Sequence, residues 1–257
     1  MDLQLKGKAA VVTGASRGIG RAIAELLADE GANVAICARN PAEVEAAVSA
    51  LDAKGIEAWG AAVDIADGDG LKAFVAEAAD RMGGIDILVS NASALPNDSS
   101  EAAWKALFDV DIMGAVRSFE AGRPFLEKAG ETTGDAAFLI ISSVSAAEAG
   151  SGVSAYGAMK SALIHYAKGL ARENASKHIR ANVISPGTVF FEGGVWGRVK
   201  AAAPAFFETM IKRNPTGRMA TPEEIANATV FLASPLSAFT TGVNLVVDGA
   251  ISSRVNF

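Results

Sequence analysis

Short apolar runs recur along the chain, each bounded by glycine or polar residues and most followed by a stretch with helical spacing. The runs are Ala9 to Thr13 (AAVVT), Asn33 to Ala38 (NVAICA), Glu57 to Val63 (EAWGAAV), Asp86 to Ser90 (DILVS), Ala137 to Ser143 (AFLIISS), Ile179 to Ser185 (IRANVIS) and Asn244 to Val247 (NLVV). Several are apolar almost throughout, without a strict in-out alternation, which is the pattern of strands buried on both faces of a parallel sheet.

Between the runs the apolar residues fall at helical intervals. Helices are predicted over Ile19 to Leu27 and from Pro41 to about Lys54, the second with Asn40 as cap and Glu43 in its first turn. Another, capped by Asp67 or Asp69, ends near Met82, and one capped by Ser99 or Ser100 runs through Trp104, Leu107 and Ile112 toward Ala121. A further helix follows Val153, and the last runs from Pro222 to Leu232, with Thr221 and Glu224 in a capping box. Strand and helix alternate, so the fold class expected is α/β: one doubly wound Rossmann domain over residues 1–257, with seven parallel strands flanked by helices. Thr188 to Thr216 interrupts the alternation with Phe190, Phe191, Trp196, Phe206, Phe207 and Met210 among glycines, and reads as a substrate lid over 188–216, or as the core of one more helix.

Composition narrows the function. Half the 257 residues are hydrophobic and a fifth are charged, with a formal net charge of −6 and no Lys/Arg cluster, which disfavours nucleic acid and anionic membranes as partners. The single cysteine, Cys37, lies in an apolar run, and no stretch approaches the ~20 apolar residues of a membrane span or the pattern of a signal peptide. A reducing, cytoplasmic setting is expected. His165 and His178 are the only histidines and have no carboxylate or cysteine neighbours at ligand spacing, so no metal site is expected.

The candidate chemistry lies where strands end. Thr13 to Gly20 reads TGASRGIG, with Gly14, Gly18 and Gly20 at a strand-to-helix turn, and the following helix N-terminus suits a pyrophosphate. The end of the second strand carries Ala38 and Arg39 rather than an acidic residue. With Arg17, Arg39 offers two guanidinium groups suited to a ribose 2′-phosphate, which predicts NADP over NAD. Asp64 could accept from an adenine amino group. Asn91 and Ala92 follow the fourth strand, at the sheet edge where ligands bind. Ser143 ends the fifth. Tyr156 and Lys160 are four apart on the next helix, so an ammonium stands beside a phenol and favours its proton transfer, with Ser143 able to bond a substrate oxygen.

Thr13-Gly14-x-x-x-Gly18-x-Gly20, Ser143 thirteen residues before Tyr156, Tyr156-x-x-x-Lys160, Asp64, Asn91-Ala92, Pro186-Gly187 and Val247-Asp248-Gly249 together resemble the short-chain dehydrogenase/reductase family over nearly the whole chain. The resemblance implies Tyr156 as general acid or base, Lys160 as its charge partner and ribose ligand, and Ser143 as the group polarising a carbonyl. It implies cofactor contacts from Gly14, Ser16, Arg17, Gly18, Ile19 and Gly20, from Arg39, Asp64 and Ile65, and from Asn91, Ala92, Pro186, Gly187 and Val189. Three positions depart from the pattern. Asp111 stands where most members have an asparagine that helps hold a water in the proton relay, Ser93 replaces a glycine, and Phe191 replaces a threonine.

The expected activity is reversible NADP(H)-dependent hydride transfer between nicotinamide and a ketone or secondary alcohol, with an apolar or aromatic substrate suggested by the lid. Two alternatives stand beside it: a 3-oxoacyl-carrier-protein reductase, and a non-catalytic NADP(H)-sensing binding protein, for which Asp111 is the motive. Similar proteins suggest a homotetramer.

Overall fold

The computed structural model describes residues 2–96, 98–149 and 152–255. Its strands are β1 (Ala9–Thr13), β2 (Asn33–Ala38), β3 (Ala58–Ala62), β4 (Ile87–Ser90), β5 (Ala136–Ile141), β6 (Ile179–Pro186) and β7 (Asn244–Val247). They form one seven-stranded sheet in the order β3-β2-β1-β4-β5-β6-β7, with every pairing parallel. The order reverses between β1 and β4, so connections leave on both faces and a crevice opens at the carboxyl ends of these two strands.

The helices are α1 (Gly18–Asp29), α2 (Pro41–Asp52), α3 (Gly68–Met82), α4 (Glu101–Leu107), α5 (Met113–Thr133), α6 (Ala155–Asn174), α7 (Val195–Ala202), α8 (Pro204–Arg213) and α9 (Pro222–Ala233). Period-two alternation splits the sheet's side chains between two cores. Ala10, Val12, Ile36 and Leu139 pack under α1, α2 and α9, and Val11, Ala35, Cys37 and Phe138 pack under α3, α5 and α6. Every residue of β1 and β5 is buried, as expected for strands covered on both faces.

Several boundaries differ from the expected ones for local reasons. Asp86 sits just before β4, because its carboxylate accepts from the Ala9 amide and from Lys8 Nζ. β5 stops at Ile141, so Ser143 lies two residues beyond the strand and caps a short 3₁₀ turn, its Oγ accepting from the Ser145 amide at 3.1 Å. The helix starting at the Ser100 cap runs past Ala121 to Thr133, and a π-helical turn over Phe108–Ile112 divides it into α4 and α5. The extra residue of such a turn re-aims the side chains around it, and π-turns concentrate at functional sites. The 188–216 segment forms two helices, α7 and α8.

Cys37 lies on β2 with no exposure, and burial pushes its thiol up to about 12, against a smaller opposing hydrogen bond from Gly14. Because the thiolate is the reactive form, the native protein should resist alkylation at neutral pH and react only on unfolding. Mass spectrometry after iodoacetamide with and without denaturant checks this; rapid native labelling would show that β2 is not shielded.

Candidate active site

The glycine turn is held open by its neighbours. Gly14 has φ +64, and a Cβ there would lie 2.8 Å from Ala92 Cα; one at Gly20 would lie 2.4 Å from Asn91 Nδ2. Asn91 Nδ2 donates to the carbonyls of Thr13 (3.0 Å) and Gly14 (2.9 Å), fixing the turn to the end of β4. The residue before α1, Arg17, is extended and gives no side-chain cap, so the first amides of this 12-residue helix face the crevice without an internal partner. Uncapped amides and a turn too tight for a β-carbon suit a pyrophosphate.

A cleft of ≈ 1090 Å³ runs from this turn across the carboxyl edge of the sheet, large enough for a dinucleotide together with a small substrate. Gly14, Ser16, Arg17, Ile19 and Gly20 line it, with Arg39, Asp64 and Ile65 beyond β2 and β3. Asn91, Ala92, Pro186, Gly187 and Val189 line it further along, as do Ser143, Tyr156 and Lys160. Two sequence-predicted residues do not line it. Gly18 is covered by the Phe191 ring, whose Cζ a Cβ at Gly18 would approach to 2.5 Å. Asp111 lies behind the wall, fully buried.

Tyr156 and Lys160 rise from one face of the first turns of α6, which the Ser154 hydroxyl caps by accepting from the Gly157 amide. Lys160 Nζ lies 5.6 Å from the Tyr156 ring centroid. The ammonium donates to the Ile141 carbonyl at 3.0 Å and pairs with Asp111 Oδ1 at 2.9 Å. Burial works against the Lys160 charge, but the Asp111 carboxylate, with a smaller contribution from Tyr156, outweighs it and holds the lysine above its ordinary pKa. Lys160 is therefore a fixed cation beside a phenol that the cleft exposes.

A family model described as enoyl-(acyl carrier protein) reductase matches residues 14–252. Isoepoxydon dehydrogenase from Penicillium expansum is 36% identical over 257 residues, covering 98% of each chain. The chain belongs to the short-chain dehydrogenase/reductase family. L-Sorbose reductase from Gluconobacter frateurii, solved with NADPH and L-sorbose, superposes with a TM-score of 0.91 at 30% identity over 99% of this chain and 100% of that one. A 7α-hydroxysteroid dehydrogenase complexed with NADH and a 7-oxo bile acid gives a TM-score of 0.88 at 29% identity, covering 99% of this chain and 98% of that one.

Like its family, this short-chain dehydrogenase/reductase is an oxidoreductase acting on CH–OH and C=O groups. Its cleft contains groups that sequence reading did not find. Glu43, expected only as a first-turn acid of α2, accepts from Ser16 Oγ at 2.8 Å and Asn40 Nδ2 at 3.2 Å beside Arg39. Arg198 and Arg213 of α7 and α8 line the cleft, as does Glu148. Nothing in the local sequence marks Arg198 and Arg213, because their place depends on how the 188–216 segment folds back. That segment's aromatics divide. Phe191, Trp196 and Met210 line the cleft, whereas Phe190 and Phe207 pack edge to face at 5.6 Å, helping to hold the segment together.

Proposed function

We propose that this enzyme reduces an apolar or aromatic ketone, and oxidises the corresponding secondary alcohol, with NADP(H) in preference to NAD(H). The single observation that carries the reading is the convergence of Ser143, Tyr156 and Lys160 on the same cleft as the glycine turn. When bound, the nicotinamide supplies the hydride. The α1 amides would hold its pyrophosphate, Arg17 and Arg39 its 2′-phosphate, and Lys160 its ribose.

The chain's own residues handle the oxygen. Ser143 offers a hydroxyl that orients and polarises the carbonyl, and Tyr156 donates a proton to the developing alkoxide or takes it back in oxidation. Phe191, Trp196 and Met210 exclude water and supply apolar area for the substrate's body, so residues 188–216 act as the lid. The end of the sheet near α9 and β7 exposes Phe231, Leu236, Phe239, Val243 and Leu245, Phe239 at 105%, which supports self-association into the homotetramer we propose.

The test is NADPH and NADH consumption with aryl and alkyl ketones, small keto acids and acyl thioesters, on the wild type and Tyr156→Phe. Arg198 and Arg213 in the cleft make ketones with an anionic tail the panel's second arm. Tyrosine-dependent turnover of the apolar ketones with NADPH is expected. Faster turnover of small polar keto acids would remove the substrate class, and the acyl thioester arm reads out the carrier-protein alternative, which the net charge of −6 disfavours for an acidic carrier. Cofactor binding without any tyrosine-dependent rate would leave only the sensor.

A further inference from the structure

Ser93 and Asp111, two separate departures in the sequence, meet in the fold, and Asp111 in turn pairs with the lysine of the proton-transfer pair. The π-turn after α4 carries Asp111 inward with a side-chain exposure of 0%, against 3% for Lys160. Both carboxylate oxygens are engaged. Oδ1 takes the Lys160 ammonium at 2.9 Å and accepts the Ser93 hydroxyl at 2.7 Å, and Oδ2 accepts the Ala94 amide at 2.9 Å. One buried carboxylate thus holds two neutral donors and a cation.

The arrangement changes what Tyr156 faces. A lone ammonium in a dry site is a net charge whose field favours the phenolate. The same ammonium hydrogen-bonded to a carboxylate is a dipole, whose effect at the phenol is much smaller. Two of the three ammonium hydrogens are also committed, to Asp111 and to the Ile141 carbonyl, which leaves one for the cleft.

We propose that Asp111, held by Ser93 and the Ala94 amide, is a positioning residue that offsets the Lys160 charge, so that less of the ammonium's field reaches the Tyr156 phenol, which favours its use as the proton donor in carbonyl reduction. The inference rests on the proposed Tyr156–Lys160 chemistry and deepens it. Other charged groups lie on the open side of the cleft or beyond β1. Glu148 accepts from the Ser253 amide, Arg198 of α7 donates to the Gly193 carbonyl, Arg213 comes from α8, and Arg17, Arg39, Glu43 and Asp64 line the cleft toward β2 and β3. Among the described residues, none of their hydrogen bonds reaches the Lys160–Asp111 pair.

The chain makes the test direct, because it has two tyrosines and burial pushes the second, Tyr166, up to about 12. The phenolate absorbance of the cofactor-free protein minus that of Tyr156→Phe reports Tyr156, because Tyr166 cancels in the difference. In Asp111→Asn the Lys160 charge is no longer offset, and the Tyr156 phenolate should appear about one to two pH units lower than in the wild type. With cofactor and an alcohol, the rising limb of the oxidation pH profile should move down by a similar amount. Titrations that coincide, even with a lower melting temperature, would show a merely structural aspartate and overturn the proposal.

The double variant Asp111→Asn/Lys160→Met covers the case in which the single variant does not fold, since removing both members of a buried pair is tolerated better than removing one. Its phenolate should appear within about half a unit of the wild type, because the phenol faces no net charge in either. Appearance a unit or more higher would mean that the lysine charge is felt in full and would overturn the proposal. An active Tyr156→Phe would instead bring down the underlying reading, whatever Asp111 does.

Discussion

Tyr156→Phe is expected to lower kcat/KM for ketone reduction by about 10³-fold or more, while NADPH binding stays within roughly twofold of the wild type. The substitution removes one oxygen and keeps the ring, which is half-buried at the start of α6. Lys160 and Asp111 remain paired 2.9 Å apart, since neither depends on the phenol for its place. The loss therefore measures the proton supplied to the alkoxide, which water in a half-closed cleft replaces poorly. Single-turnover rates with NADPH and cofactor titration by fluorescence separate the chemical step from binding. Equal rates in the two proteins would rule out Tyr156 as the proton donor.

The second large effect is expected at the 2′-phosphate. Arg39→Ala combined with Arg17→Ala should weaken NADPH binding by about 100-fold, taking each charged hydrogen bond at roughly 1.5 kcal/mol, the low end of its range for an exposed group, and leave NADH within about threefold. Both side chains are exposed, so the wild-type preference for NADPH should also shrink with added salt. Glu43, bonded to Ser16 and Asn40 beside Arg39, is a carboxylate at the same end of the cleft. Measured dissociation constants for both cofactors at low and high salt decide the matter. A wild type that binds NADH as tightly as NADPH would end the assignment of this arginine pair.

Much of the fold could be read directly from residues. The β1, β2 and β7 boundaries match their apolar runs and the other strand boundaries match theirs within two residues; in β1, β4 and β5, buried throughout, cover on both faces leaves an uninterrupted apolar signature. Asn40 and Asp67 cap α2 and α3 through their own side chains, a bond made within three residues and so visible locally. The Tyr156–Lys160 spacing, the three glycines of the turn and the missing acid after β2 were legible for the same reason, since each lies within one element or one turn.

Other features had no local signature. Sequence periodicity carries the helix from Ser100 straight on and does not show the π-turn that aims Asp111 inward. Phe191 looks like one of several lid aromatics, yet its ring covers Gly18, more than 170 residues earlier in the chain. The Ile141 carbonyl that anchors Lys160 is main chain, so no residue type could mark it.

By itself the sequence determined the parallel sheet and marked the candidate cofactor turn and the candidate reacting groups, because these follow from patterning and chemistry over a few neighbouring positions. Only the tertiary structure decided that Ser93, Asp111, Ile141 and Lys160 form one charge-balanced unit. Ion pairing and hydrogen bonding act through space, and these four residues come from four separate segments brought together by the sheet.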